Sequence, residues 1–323
     1  MSPGISRRNL LAGLGAVAAT SASSSIPAWA FYDPPHYPPI DLSYFDSPIS
    51  AGPSEIHLGY AAITWSGNDR QAIEDISDLG FHGIQLRANV IKEFSSAGEL
   101  NDLLQKHKLT MVALSSGSVR IDPAVEKDEI AKHTANAKFV HDVDGLYLQV
   151  TDQRPRDRAV SGTDYKRLGR MITEIGKRTA DLGVSLGYHN HMGTLSEHPE
   201  ELDQILSASD PRYVKLELDV AHYFQGGGDP AKAIATYQDR LLFLHIKDVE
   251  PAASATREGK SYHWVELGRG KVDLPGVFTA LHDINFRGWA VVELDSVPDP
   301  GRSPKESAVI SKKYLEEKLG LKV

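Results

Sequence analysis

The sequence predicts a single (β/α)8 TIM barrel of the α/β class, and three observations predict it. From residue 55 to residue 319, short apolar strands alternate with amphipathic helical stretches, with little slack between them. The alternation repeats eight times over roughly 265 residues, the size of one closed barrel. Four strand-like runs in the second half all end in imidazole, ammonium or carboxylate side chains. Core packing does not ask for that, whereas a site at the mouth of a parallel barrel does.

Taken in order, residues 57–65 read as the first strand, and 69–79 as a helix with Ile73, Ile76 and Leu79 on one face. Gly80 closes that helix before a second strand at 81–87. A helix over 97–107 leads to a strand at 109–114, and a long helix over 126–143 to a strand at 145–150. The helix at 165–182 is capped by Gly183. The run from 184 closes on His189 and His191, and Pro199 sits where a first helical turn tolerates it. The run from 214 closes on Asp219 and His222. Gly226, Gly227 and Gly228 form a loop, and Asp229-Pro230 opens a helix to 239. The run from 241 closes on His245, Lys247 and Asp248. A helix over 273–284, a run from 290 closing on Glu293 and Asp295, and a helix over 304–319 complete the chain. Strands separated by helices imply parallel pairing with right-handed crossovers. A doubly wound open sheet is the alternative, but no Gly-x-Gly-x-x-Gly follows the first strand.

Ahead of the barrel, Arg7-Arg8 precede a short apolar stretch and Ala28-Trp29-Ala30. That order of features predicts a twin-arginine export signal over residues 1–30, cleaved before Phe31, and hence a periplasmic protein. Residues 31–54 hold six prolines without helical or strand period and read as an extended arm. The barrel proper takes residues 55–320.

Net charge is −8, and because residues 1–30 carry only Arg7 and Arg8, the remainder stands at −10. A nucleic-acid surface needs clustered lysine and arginine, so that class of partner is excluded. After signal cleavage nothing predicts membrane attachment; a homo-oligomer is allowed. With no cysteine, thiolate metal sites and cysteine nucleophiles are excluded as well.

His189, Asp219, His245 and Glu293 form a candidate ligand set for one divalent ion, Mn2+, Co2+, Zn2+ or Mg2+. His191 lies two residues beyond His189, on the same face of an extended strand, so either is the ligand and the other touches substrate. Lys247 repeats that relation to His245 and is a candidate to polarise a carbonyl. His222 is a candidate to donate to substrate or to support the metal. Trp65 is expected to wall one face of a sugar, and Arg269, between Gly268 and Gly270, to contact anionic groups of a ligand. Gln149 and Asp152 on the fourth strand and Arg87 on the second are further candidates, for which surface or core roles serve equally well.

The stretches Tyr188-His-Asn-His-Met-Gly-Thr194, Leu216-Glu-Leu-Asp-Val-Ala-His222, Leu241-Leu-Phe-Leu-His-Ile-Lys-Asp248 and Ala290-Val-Val-Glu-Leu-Asp295 resemble the xylose isomerase-like TIM-barrel superfamily. The first two are most similar to its inosose dehydratase branch. The resemblance implies one metal held at the ends of strands five to eight, by His189, Asp219, His245 and Glu293. It also marks a departure: the ketose epimerase branch has Glu at the position of His189, and a two-base epimerase uses that Glu opposite the last one.

The leading expectation is therefore a metal-dependent isomerase or epimerase, with Glu293 removing the proton α to a metal-bound carbonyl of a sugar or keto-sugar. The alternative is a lyase that eliminates a β-oxygen from a keto-sugar or keto-cyclitol. A third reading is a periplasmic sugar-binding barrel without turnover. The fold also hosts endonucleases, which the acidic charge opposes.

Overall fold

A computed structural model describes residues 55–252 and 260–323. The expected export signal and proline-rich arm lie outside the described residues. Ten strands are described: β1 (Glu55–Ala61), β2 (Gly83–Arg87), β3 (Thr110–Arg120), β4 (Tyr147–Gln153), β5 (Ser185–His189), β6 (Val214–Asp219), β7 (Leu241–Ile246), β8 (Asp248–Pro251), β9 (Tyr262–Val265) and β10 (Arg287–Val292). Eight of them close a barrel in the order β1-β10-β7-β6-β5-β4-β3-β2, with the registered neighbours parallel. The predicted fold class is the observed one.

Ten helices are described: α1 (Asp69–Asp78), α2 (Val90–Glu93), α3 (Ala97–Lys106), α4 (Glu126–Asp142), α5 (Gly162–Ala180), α6 (Pro199–Ser207), α7 (Val220–Gln225), α8 (Pro230–Thr236), α9 (Leu274–Asp283) and α10 (Pro304–Glu317). Each long helix turns an apolar stripe to the strands. In α5, Leu168, Ile172 and Ile175 recur at helical spacing and are fully buried; each such side chain is worth about 1.5–3 kcal/mol of burial. Ser161 and Asp164 start that helix with reciprocal bonds, and Ser303 and Glu306 do the same for α10. Among the described residues no helix is long and apolar enough to cross a membrane.

Strand alternation sorts the barrel residues into two layers. Tyr60, Ile84, Leu86 and Leu244 point outward into the helix-side core. Ala113, Phe243, Trp289 and Val291 fill the lumen below the mouth, where Phe243 stacks on Tyr147 at 5.2 Å. Gly83 belongs to this floor by necessity, because a Cβ there would stand 2.3 Å from the Trp289 ring. Lumen-facing positions one step further along each strand reach the mouth and form the site.

Three differences from the expected elements have local causes. β1 stops at Ala61, and a 3-10 turn over Ala62–Trp65 follows it. A short helix, α7, follows β6 directly, because Asp219 Oδ1 accepts from the backbone N–H of Ala221 and His222 and so starts it, with His222 beyond the strand. β8 and β9 pair as an antiparallel hairpin between β7 and α9, an insertion that the strand–helix alternation does not foretell.

Candidate active site

Asp219 ends β6, His245 lies near the end of β7, and Glu293 follows β10, so three neighbouring strands aim their side chains at one point of the mouth. His245 Nδ1 stands 3.6 Å from Asp219 Oδ2 and 3.4 Å from Glu293 Oε2. Asp219 Oδ2 and His245 Nδ1 are buried and have no hydrogen-bond partner among the described residues. A buried carboxylate oxygen without a partner is costly. The capping role of Asp219 occupies only its Oδ1, leaving Oδ2 turned toward His245. Donors so placed and so left over fit a divalent cation.

His189, at the end of β5, lies on the other side of His245, with ring centres 4.9 Å apart. Its donor atoms group with those of Glu217 and His245 and with those of His191 and His222, not with Asp219 and Glu293. Its Nδ1 is also buried without a hydrogen bond. Burial, with the charges of His245, His191 and Lys247 nearby, holds its pKa well below the usual value, so it is the neutral imidazole that a ligand must be.

Two residues that the sequence reading passed over fix His245. Its Nε2 lies 2.7 Å from Gln85 Oε1, reaching across from β2, and 2.7 Å from Glu217 Oε1 on β6. The Gln85 oxygen accepts at Nε2 and keeps the proton there, presenting the Nδ1 lone pair to the cluster, while Glu217 adds a close negative charge without a hydrogen bond of its own. Burial pushes the Glu217 carboxyl up to about 7, against the pull of His245. Burial opposes charge on His245 itself, but Glu217 and Glu293 push its pKa well above the usual value, so in the absence of an ion a proton competes for Nδ1. Glu217 was legible by its position: it stands two residues before Asp219 and therefore on the same face.

Lys247 is fully buried, with its ammonium 3.0 Å from Glu293 Oε1 and 2.5 Å from Asp295 Oδ1. The indole of Trp264 on β9 covers it at 4.5 Å, so the hairpin is what closes this side of the site. Burial disfavours its charge, yet Asp295, Glu293 and Asp219 hold its pKa above the ordinary value. Those same cations keep Glu293 ionised; burial raises its pKa, and His245 and Lys247 more than reverse that.

The remaining imidazoles have distinct tautomers. His191 Nδ1 lies 2.7 Å from the Met192 carbonyl and must donate to it, which leaves Nε2 with a free lone pair. His222 Nδ1 accepts from Met192 N–H at 3.1 Å, so its proton is on Nε2. The 3.4 Å approach of His222 Nε2 to Lys247 Nζ therefore joins two N–H groups and is a contact without a hydrogen bond. The His191 and His222 rings are in close contact, 3.8 Å between centres and tilted by 35°. Both are held neutral, chiefly by burial.

Of the other expected site residues, Gln149 is buried on the lumen face of β4 with Oε1 lacking a partner. Asp152 acts one layer out: it accepts from Tyr188 Oη at 2.6 Å and from Leu195 N at 2.7 Å, tying the His191 loop to β4. Trp65 and Arg269 are engaged elsewhere. The Trp65 indole donates to Asp75 on α1 and packs edge-on against Tyr60, on the helix side of β1. Arg269 pairs with Glu266 and Asp299. For Trp65 the difference comes from the 3-10 turn after β1, which carries the side chain off the strand's alternation.

The sequence pattern of the xylose isomerase-like TIM barrel family matches residues 73–317, most of the chain and every residue of the cluster. The chain belongs to that family. Within it, the chain is 27% identical over 300 residues to an inosose dehydratase of Lacticaseibacillus casei, covering 82% of this chain and 98% of the relative. Among solved structures, the IOLI protein with a bound zinc atom superposes with a TM-score of 0.69 at 19% identity, covering 81% of this chain and 97% of that one. A D-allulose 3-epimerase from Methylomonas superposes with a TM-score of 0.67 at 21% identity, covering 84% and 99%. Likeness at those identities establishes the fold. The family's fold hosts both dehydratases and epimerases, so the reaction must be argued from side chains.

Proposed function

We propose that this chain is a metal-dependent carbon–oxygen lyase, which removes a β-oxygen from a keto-cyclitol or keto-sugar. Asp219, His245, Glu293 and His189 would hold a divalent ion, and polarisation of the substrate carbonyl is the chemistry such an ion supplies when bound. One arrangement carries the choice of elimination: an imidazole with a free nitrogen and a buried ammonium stand in the same cluster. His191 Nε2 is unprotonated because Nδ1 is committed to the Met192 carbonyl, and it is placed to take the proton α to the carbonyl. The Lys247 ammonium, held by Glu293 and Asp295, is placed to protonate the departing β-oxygen. His222 Nε2–H is a further donor for a substrate hydroxyl.

The sequence alone put Glu293 in the role of base. Its bond to Lys247 and its place beside His245 hold it ionised at low proton affinity, which suits a ligand better than a base. His189 stands where a two-base epimerase of the family carries the Glu opposite the last one, so that pair of carboxylates is not reproduced at those two positions. The relative named inosose dehydratase supports the same choice.

Turnover of a keto-cyclitol and of a 3-keto-sugar in D2O is the test. An unsaturated ketone absorbing in the ultraviolet is expected, with loss of water. Deuterium in an intact, epimerised sugar without any unsaturated product would overturn the reading and restore the epimerase.

A further inference from the structure

We infer that the substrate of this site carries a carboxylate, and that Arg87 is the residue that reads it. The inference rests on the cluster being a substrate site, but not on which bond breaks there. Arg87 is the last residue of β2, two after Gln85. Gln85 points into the lumen, since it meets His245 from the far side of the barrel. Ile84 and Leu86, the alternating residues, are fully buried in the helix-side core. Arg87 therefore leaves the strand on the face of Gln85, into the mouth above it.

Arg87 is partly buried, its Nε is shut off from solvent, and no hydrogen bond or ion pair with a described residue engages it. Arginines at the neighbouring rim behave differently: Arg120, Arg154 and Arg158 are held by Glu129, Glu201 and Asp164. A half-covered guanidinium without a counter-charge is expensive to keep unless a ligand supplies one.

Two strands from Arg87, with Ser115 of β3 in register between them, the lumen face of β4 is polar but uncharged. Gln149 Oε1 and Thr151 Oγ1, both on the lumen face of β4, are buried without partners. Together these groups offer a bidentate cation for one carboxylate and neighbouring acceptors for ring hydroxyls. A neutral polyol would satisfy the acceptors and leave the guanidinium charge uncompensated.

Quinate, a hydroxylated ring carboxylate without a ketone, and its neutral amide quinamide test this by calorimetry on the metal-loaded protein. Wild type is expected to bind quinate at least about 10-fold more tightly than quinamide, in line with a charge-assisted bidentate contact. Arg87→Gln should erase that difference with quinamide binding unchanged, and Arg87→Lys should restore part of it. Since Arg87 holds no other residue, its variants should keep the wild-type Tm, which the same samples report. Equal binding of the two probes by wild type would overturn the inference. So would a preference that survives Arg87→Gln. No turnover is read, so failure of the lyase reading leaves the result interpretable.

Discussion

Gln85 and His245, 160 residues apart in sequence, meet across the barrel with Oε1 and Nε2 2.7 Å apart. One side chain from β2 thereby decides which nitrogen of a β7 imidazole faces the donor cluster. If Gln85 sets that tautomer, Gln85→Leu should weaken divalent-ion affinity by about 10–100-fold, the usual cost of losing an outer partner of a ligand histidine. Competition against a chromophoric chelator measures it; unchanged affinity would mean that Glu217 alone suffices.

Asp219 has two separable duties, and two substitutions separate them. Asp219→Asn keeps an oxygen to cap α7 and should lose the ion with little loss of fold stability. Asp219→Ala should lose the ion and about 1 kcal/mol of the cap as well. Metal content by elemental analysis and urea melts of the two metal-free variants make the comparison. Full metal occupancy in Asp219→Asn would remove this residue from the ligand set.

Lys247→Met tests the acid. It conserves length and apolar contact with Trp264 while deleting the ammonium, and should lower kcat by about 10²–10⁴-fold, the range for a positioned proton donor. A substrate with a better leaving group at the β-carbon should recover much of the loss. Equal loss with both substrates would assign Lys247 a positioning role.

Asp152 predicts a pH dependence of stability. Burial pushes its carboxyl up to about 6 from an ordinary 3.8, despite the bonds from Tyr188 and Leu195. The folded chain thus holds this proton more tightly than the unfolded chain. Its contribution is fully present below pH 4 and is lost as pH rises through 6. Asp152→Asn lacks the term, so wild type should lose on the order of 2 kcal/mol relative to the variant between pH 4 and pH 7.5. Parallel unfolding curves at the two pH values would contradict the assignment.

The barrel was legible because its elements carry their own periods. Ile73 and Ile76 mark a helix face, and ligand-type residues recur at strand ends. The candidate ligands His189, Asp219, His245 and Glu293 were visible for the same reason. Gln85 was not singled out, since a buried polar residue inside an apolar strand looks like any other until its partner on a distant strand is known; Glu217 carried a signal in its spacing from Asp219. Trp264 was hidden more deeply: its strand is half of an inserted hairpin, and only tertiary packing brings it over Lys247. Trp65 illustrates the opposite error, where strand alternation was extended past the point at which the backbone turns.

The donor cluster draws its members from residues 189–293, whereas Gln85, Arg87, Gln149 and Thr151 line the other half of the mouth from β2 and β4. Reactivity and ligand choice thus sit on separate lengths of polypeptide, joined only where the barrel closes. Apart from Gln85 and Asp152, which hold His245 and the His191 loop, the described strand-end residues before position 155 make no contact with the groups proposed to move protons. Such a protein can be retargeted by changing a few strand-end residues before position 155, while its chemistry is inherited intact from the second half.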